Sequence, residues 1–247
     1  MDWKLSKSIF IAAFLLINLI LLYILYNESN AEVERLAETT DVLDETNIDT
    51  SALDDAVSAE MQILVGQPAK IKNEEKISED KEKKLITIPV SEGVTFAPEG
   101  LTTFKKSSVY KGNEYYYDEV MSEKDSIIFN QHYENYPIFS NEAARLFFSE
   151  ESQTVTQGYI ENIEVNEYSS PTTVRPPKVI VEELYLNEEI TENAVIEGAE
   201  LGYYIILEEE NQIMMRPKWQ FEITDGDLER VLYVDALSQT EDIIERE

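Results

Sequence analysis

A run of apolar side chains from Ile9 to Leu25, interrupted only by Asn18, constrains the fold of this chain more than any other feature. As an α-helix the run is about 25 Å long, and with Ser8 and Tyr26 it reaches about 28 Å, close to the hydrocarbon thickness of a bilayer. The sequence therefore predicts a transmembrane helix over residues 9–26, preceded by a short leader of residues 1–8.

Charges on the two sides of this segment predict its orientation. Lys4 and Lys7 lie in the leader, and lysines mark the cytoplasmic side of a membrane helix. We therefore expect a single-pass protein of the cell membrane, with its N-terminus in the cytoplasm and its C-terminal domain outside the cell. The alternative is a signal peptide cleaved after Ala31, but the apolar part of such peptides is only about 7–15 residues long.

Asn18 places an amide near the middle of the predicted membrane helix. Its hydrogen bonds are satisfied either by another helix or by its own backbone, because no water is available there. A helical wheel places six apolar residues on the same side as Asn18, and these form the predicted contact face: Ile11, Phe14, Leu15, Leu21, Leu22 and Leu25.

The formal charge of the chain is −30, and the first thirty residues contribute nothing to it. An outer domain with this charge is repelled by nucleic acid, which excludes binding driven by phosphate neutralisation. Cysteine is absent, so stability comes from a packed core and not from disulfides, and thiol catalysis is excluded.

The pattern beyond the membrane segment predicts an α+β fold of antiparallel sheets with a few helices. Runs of β-branched and aromatic residues indicate strands at "LITIPV", "SSVY", "EYYYDEV", "SIIFNQHY", "LFF", "TVTQGYIENIEVNEY", "AELGYYIIL", "QIMMRPKWQFEIT" and "RVLYVDAL". Pro177 suits the first position of a helix whose apolar residues are Val179, Ile180, Leu184 and Leu186.

Several segments interrupt this pattern. Met61 to Val65 is a candidate strand that ends at the turn-prone "GQP", and Lys70 to Lys84 is expected to be a solvated loop or surface helix. Pro217 is expected to place its strand at a sheet edge or to split it. The acidic tail, residues 238–247, is expected to fray.

Catalytic and metal-binding patterns are missing from the sequence. His132 is the only histidine, so a zinc site or a catalytic triad lacks its usual residues, and a surface or interface role is the simpler interpretation. The sequence has no EF-hand loop, phosphate-binding loop or nucleophile elbow. We therefore predict no catalytic residue, no metal site, no cofactor and no small-molecule substrate.

Particular segments resemble a known family. The opening "MDWKLSKSIFIAAFLLINL" and, in the same order, "DEVMSEKDSIIFNQHYENYPIFSNEAARLFF", "GYIENIE", "ELGYYIIL", "PKWQFEI" and "YVDA" are similar to the YycI (WalI) family. Its members are membrane-anchored regulators that accompany the sensor kinase WalK and the response regulator WalR (YycG and YycF) in Gram-positive bacteria. Residues 30–84 and the tail match this family poorly.

The resemblance implies a non-enzymatic regulator that contacts a WalK-like sensor histidine kinase through membrane helices and works with a YycH-like protein. It also implies that residues 27–247 form an extracellular domain similar to part of the YycH fold, with possible halves at 31–143 and 144–240. It favours a helix contact for Asn18. The family signature further selects five outer residues as candidate core or partner contacts: Tyr133, Pro137, Ile138, Phe139 and Trp219.

Other classes of function remain open at this point. A wall-anchored module that binds a ligand or a cation is one alternative. A carboxylate-based wall hydrolase is another, although fifty acidic residues make any single pair of carboxylates unremarkable.

Overall fold

A computed structural model describes residues 14, 16–18, 20, 42–53, 59–139, 142–209, 211–238 and 243–245. Residues 14, 16–18 and 20 are helical. Within the described part of the chain, no helix combines the length and the apolar character needed to cross a membrane. Most of the predicted membrane segment lies outside these residues.

The described chain is mainly β-structure, with two α-helices in addition to helical residues at 14, 16–18, 20 and 42–45. The helices are α1 (Pro98–Ser108) and α2 (Pro177–Leu186). The strands are β1 (Glu60–Met61), β2 (Leu64–Pro68), β3 (Ser78–Asp80), β4 (Leu85–Pro89), β5 (Tyr115–Glu123), β6 (Ser126–Tyr133), β7 (Tyr136–Phe139), β8 (Arg145–Ser149), β9 (Thr154–Gln157), β10 (Ile160–Val165), β11 (Thr172–Thr173), β12 (Val195–Glu209), β13 (Gln212–Asp225), β14 (Leu228–Asp235) and β15 (Ile244–Glu245). This architecture confirms the predicted antiparallel sheets with few helices.

All strands except β1 and β11, which form a separate two-stranded sheet, belong to two sheet regions that share one hydrogen-bonded path. The first sheet region contains β5, β6, β8, β9, β4 and β3, and the second contains β10, β2, β13, β12 and β7, with β14 paired to the second part of β13 and β15 paired to β14. The hairpin of β6 and β7 connects them. Since β6 pairs with β8 and β2 pairs with β10, strand pairing crosses the predicted division between residues 143 and 144.

Each sheet region packs one face on its own helix and core. In the first region, Leu101 and Phe104 of α1 are buried in a cluster with Phe129 and Phe148. In the second region, the buried face of α2 joins a cluster that includes Ile138, Trp219 and Phe221. Burial of these large apolar side chains provides the main stabilisation of both regions.

The two helices differ in how well the sequence predicted them. Helix α2 begins at Pro177 as expected, with Val179, Ile180 and Leu184 buried, but Leu186 is exposed. Helix α1 was not predicted, and the strand expected at "SSVY" is wrong because its serines end this helix. The α1 sequence contains glycine, threonine and serine, which are weak helix formers, so tertiary packing of Leu101 and Phe104 decides its structure.

The expectation that Pro217 would mark an edge or split its strand is wrong. β13 is continuous and pairs with β12 along its whole length. On its other side β2 pairs as far as Met215, and β14 pairs from Lys218 onward. On that side the carbonyl of Pro217 accepts a hydrogen bond from the Ala236 N–H at 3.1 Å. Pro217 lies between the end of the β2 pairing and the start of the β14 pairing, so its missing N–H removes no strand-pairing hydrogen bond.

Three other local predictions need correction. Strand β2 includes "GQP" and ends at its proline, Pro68, so it extends beyond the predicted end at Val65, and it begins at Leu64 and not at Met61. Part of the segment Lys70 to Lys84 is neither loop nor helix, since β3 forms a hairpin with β4. In the tail, Ile244 and Glu245 pair with β14, and Arg230 binds the Glu245 carboxylate at 2.6 Å and 3.0 Å, so these two residues do not fray.

Candidate interaction site at the junction of the sheet regions

The segment from Tyr133 to Phe139 joins the two sheet regions. At its start, β6 and β7 pair antiparallel with Tyr133 opposite Tyr136. At its end, β7 pairs parallel with β12, with Ile138 opposite Tyr203. This short segment hydrogen-bonds to strands of both regions, and we call it the junction.

The structure places most of the candidate core or contact residues in the interior. Pro137, Ile138, Phe139 and Trp219 are buried, and the Trp219 indole Nε1 donates to the Arg175 carbonyl at 3.0 Å. Tyr133 is half-buried, with its ring edge-on to Tyr203 at 6.3 Å between centroids. The buried positions therefore support the junction from within, and Tyr133 faces its surface.

A cleft of about 460 Å³ lies beside the junction, and we call it the junction cleft. Segments distant in sequence line it: the turn before β5, the end of β6 and the start of β10. Its polar and aromatic side chains are Lys111, Asn113, Glu114, Tyr116, Gln131, His132, Tyr133, Glu134, Tyr159, Glu161 and Asn162. The segments "FNQHYENYP" and "GYIENIE", which the sequence analysis singled out separately, meet here.

Gln131 holds these two segments together. Its amide Nε2 donates to the Ile160 carbonyl at 2.8 Å, and its Oε1 accepts from the Ile160 backbone N–H at 2.8 Å. Gln131 is buried, so both bonds are shielded from water. A side-chain amide that replaces a backbone partner in this way fixes β6 against the first residue of β10.

Tyr159 forms a polar contact with the opposite wall of the junction cleft. Its hydroxyl donates to the Glu114 carboxylate and accepts a hydrogen bond from Lys111 Nζ at 3.1 Å. Burial raises the pKa of Tyr159 to about 12, and the hydrogen bond to Tyr159 raises the pKa of Lys111 to about 12. The Tyr159 hydroxyl is therefore neutral and the Lys111 amine is charged at physiological pH, and both hydrogen bonds are kept.

His132 and Tyr116 form an aromatic pair at the rim of the cleft. Their ring centroids lie 4.3 Å apart, and Tyr116 is 54% exposed. Burial lowers the pKa of His132 to about 4, so its imidazole is neutral near pH 7. The half-buried position agrees with the predicted surface or interface role, and the pair offers an accessible aromatic surface of the type enriched at protein interfaces.

A buried polar layer lies beside β5 where it contacts β14, and sequence reasoning missed it. Arg145 Nε donates to the Asn130 side-chain oxygen at 3.0 Å, and the Asn130 amide donates to Asp118. The Tyr233 hydroxyl, on β14, donates to the Met121 sulfur on β5 at 3.4 Å. These groups are 12 to 112 residues apart in sequence, so no local pattern identifies them.

Two carboxylates lie near this layer, with Glu222 half-buried and Glu200 exposed. Partial desolvation, followed by the charge of Asp118, raises the pKa of both Glu200 and Glu222. Their like charges make the layer sensitive to protonation. In the part of the chain that the structure describes, no cluster of three or more His, Cys, Asp or Glu residues is arranged to hold a metal ion.

The predicted membrane contact face is described at two positions. The Asn18 amide donates to the Phe14 carbonyl at 2.8 Å, which is the backbone hydrogen bond considered as one of its two alternatives. The Phe14 side chain is 61% exposed. The remaining predicted residues lie outside the described part of the chain: Lys4, Lys7, Ile11, Leu15, Leu21, Leu22 and Leu25.

Comparison with known proteins identifies one family. The family model described as "YycI protein" matches residues 27–237, which is most of the chain. No curated protein matches the sequence of this chain. The matched range contains every strand and helix that forms the junction and its cleft.

Proposed function

Because the chain belongs to the YycI family, which is a regulatory family, we propose that it is a non-enzymatic regulator of a WalK-like sensor histidine kinase in a WalK/WalR-type two-component system. The observation that carries the proposal is the family match over residues 27–237. In this proposal the chain lies in the cell membrane as a single-pass protein, with residues 1–8 in the cytoplasm and residues 27–247 outside the cell.

The physical requirement on such a regulator is modest. A kinase with two signalling states responds to a partner only if the partner binds one state better than the other. A preference of about 1.4 kcal/mol changes the ratio of the two states tenfold. Interhelical polar bonds in membranes contribute about 0.6 kcal/mol on average, so one such bond with surrounding packing is sufficient.

The Asn18 amide can contact another helix and keep its hydrogen bond to its own backbone at the same time. A primary amide has two N–H donors and one carbonyl acceptor, and the bond to Phe14 uses one donor. Four apolar side chains on this helix are at least half exposed: Phe14, Leu16, Ile17 and Ile20. The proposed contact uses Asn18 and Phe14, together with the neighbouring residues of the predicted face.

Single substitutions in the membrane segment test the kinase contact. Asn18→Leu and Phe14→Ala should each reduce regulation of a kinase-dependent reporter partially, while membrane insertion is retained. Leu16→Ala and Ile20→Ala, on other faces of the helix, are the matched controls and should behave like the wild type. Protein levels in the membrane are matched by immunoblot. Wild-type regulation by both Asn18→Leu and Phe14→Ala would contradict the contact face.

A second contact is proposed outside the membrane, with a YycH-like partner. The exposed Tyr116 ring beside the junction supports it, because aromatic residues are enriched at interface cores. Co-purification of the full chain with the YycH-like protein tests this contact, with Tyr116→Ala as the variant and Tyr168→Ala, at a still more exposed tyrosine, as the control. If Tyr116→Ala co-purifies as well as the control, the junction cleft is not the contact.

A further inference from the structure

A lysine-lined cleft lies on the first sheet region, between the segment before β3 and the hairpin of β3 and β4. Its volume is about 780 Å³, within the range of ordinary binding clefts. Five lysines line it: Lys70, Lys72, Lys76, Lys81 and Lys84. Only two carboxylates, those of Glu74 and Glu79, share the lining.

The charges of this cleft contrast with the rest of the protein. The chain contains 50 acidic and 20 basic residues, so a quarter of all its cations lines this one cleft. Charges farther away than about 8 Å are largely screened at physiological ionic strength, so the field that a bound segment experiences is determined by the five lysines and by the exposed carboxylates among them: Glu74, Glu75, Glu79, Asp80 and Glu82. An acidic segment is therefore repelled over most of the surface and attracted here, which gives specificity of position.

The lysines differ in how far the protein itself neutralises them. Lys76 forms an ion pair with Glu79, and Lys84 donates to the Asn211 side-chain oxygen at 3.2 Å. Among the described residues, Lys70, Lys72 and Lys81 form no ion pair. Lys70 and Lys72 are exposed on either side of the buried Ile71.

The floor of the cleft is apolar. Ile71 and Ile86 line it and belong to the core beneath it, and Ile77, which follows the lining residue Lys76, is 62% exposed. A densely charged polyanion gains nothing from these groups, and its closely spaced charges cannot all avoid Glu74 and Glu79. A polypeptide with spaced acidic residues can place carboxylates on the lysines and apolar side chains on the isoleucines.

We propose that this cleft binds an acidic, extended segment of a partner polypeptide. The segment carries carboxylates spaced by small or apolar residues, and its acidic side chains pair with Lys70, Lys72 and Lys81. This inference does not depend on the contact between the membrane helices and the kinase.

Fluorescence anisotropy tests the proposal with the full chain in phosphatidylcholine nanodiscs. The probe is a fluorescein-labelled peptide of twelve residues in which glutamate and alanine alternate, and the same peptide with lysine for glutamate is its control. We expect the glutamate peptide to bind with an affinity that falls as salt is raised, and the lysine peptide to bind more weakly to this site.

Paired charge reversals locate the binding site. Lys70→Glu with Lys72→Glu should weaken binding of the glutamate peptide by about tenfold, because two attractive contacts become repulsive. Lys106→Glu with Lys124→Glu changes the net charge equally at exposed lysines outside the cleft and should weaken binding by less than about threefold. Lys70→Gln with Lys72→Gln should give an intermediate loss, and thermal unfolding confirms that all three variants are folded.

Three results would overturn the proposal. The first is no binding of the glutamate peptide by the folded wild-type chain. The second is an equal loss in the cleft pair and the control pair, which shows a general charge effect. The third is preferential binding of polyphosphate over the peptide at equal charge concentration, which assigns the cleft to phosphate polymers instead.

Discussion

The Phe139 ring packs directly against the backbone of Gly202, in the place that a side chain at residue 202 would occupy. A Cβ atom on Gly202 would lie 2.6 Å from Phe139 Cε2 and 2.6 Å from the Pro137 carbonyl oxygen. Real Cβ atoms essentially never approach other atoms this closely. Glycine therefore allows β7 to pair with β12 at the junction of the two sheet regions.

Gly202→Ala should destabilise the protein by about 1–3 kcal/mol, because the buried Phe139 ring and the β7 backbone must both move. Gly198→Ala in the same strand is the control, since its nearest contact is the flexible end of Glu222 at 3.2 Å. Unfolding is followed by the fluorescence of the buried Trp219. Equal stability of the two variants would show that the junction accommodates a methyl group.

Gln131→Ala should destabilise the protein by about 2–4 kcal/mol. The substitution removes two buried hydrogen bonds and leaves the N–H and carbonyl of Ile160 without that partner. Gln67→Ala, at an exposed position of β2, should change stability by less than about 0.5 kcal/mol. Urea unfolding of both variants measures the difference, and a loss below about 1 kcal/mol for Gln131→Ala would mean that water replaces the amide.

Stability should fall on acidification partly because of His132. Burial lowers its pKa in the folded protein to about 4, whereas the unfolded chain binds the proton near pH 6.5. The stability that depends on a neutral His132 is therefore fully present above about pH 6.5 and is lost as the pH falls towards 4. His132→Phe keeps a ring against Tyr116 without the titration. Between pH 7 and pH 5 the variant should lose about 1–2 kcal/mol less than the wild type, after allowance for partial solvent screening.

The comparison of these two proteins isolates the histidine because the carboxylates titrate in both. The free energy of unfolding is measured in urea at each pH. Parallel pH dependence of the wild type and His132→Phe would show that His132 is solvated in the folded protein.

Deprotonation of Lys105 should increase the stability of the protein as the pH rises from about 7.5 to 9.5. The buried ammonium donates to the Gly112 carbonyl at 2.7 Å and the Tyr115 carbonyl at 2.6 Å, and burial lowers its pKa to about 8. The unfolded chain holds this proton up to about pH 10.4, so deprotonation of the folded protein is favoured in between. Relative to Lys105→Met, the wild type should gain about 1 kcal/mol over this range.

The pH range of the Lys105 test stops below pH 10 because buried tyrosines lower the stability of the protein above that pH. Burial raises the pKa of Tyr115 and Tyr203, so their contribution to stability is lost above the unfolded pKa of about 10. Chemical unfolding at pH 7.5, 8.5 and 9.5 provides the measurement. A gain that is equal in the wild type and Lys105→Met would exclude Lys105 as its source.

Local sequence patterns were sufficient for much of the β-structure. "SIIFNQHY" was predicted as a strand and is the whole of β6, and Pro177 begins α2 as expected. In both cases the determinant is local, since β-branched and aromatic side chains favour extended backbone and proline has its φ angle set for a first helical position. The match to the YycI family over residues 27–237 likewise confirms a resemblance identified from short segments.

The candidate site depended on contacts that local patterns do not contain. Gln131 was part of a recognised segment, but its partner Ile160 is 29 residues away. The sequence analysis did not single out Lys105, and it is the packing of α1 that buries it over Phe129 at 5.4 Å from the ring centroid. Burial of a polar group is determined by the elements that fold over it, so its partners became identifiable only in the folded chain.

The sequence alone determined the strand-rich character of the chain beyond the predicted membrane segment, the first residue of α2 and the family, because these depend on side-chain type and spacing along the chain. Only the tertiary structure decided that Pro217 lies within a continuous strand, that α1 is a helix and that the junction cleft brings "FNQHYENYP" and "GYIENIE" together. Each depends on neighbours distant in sequence. Long-range packing and hydrogen bonding outweigh local preferences of about 1 kcal/mol or less per residue wherever the two conflict.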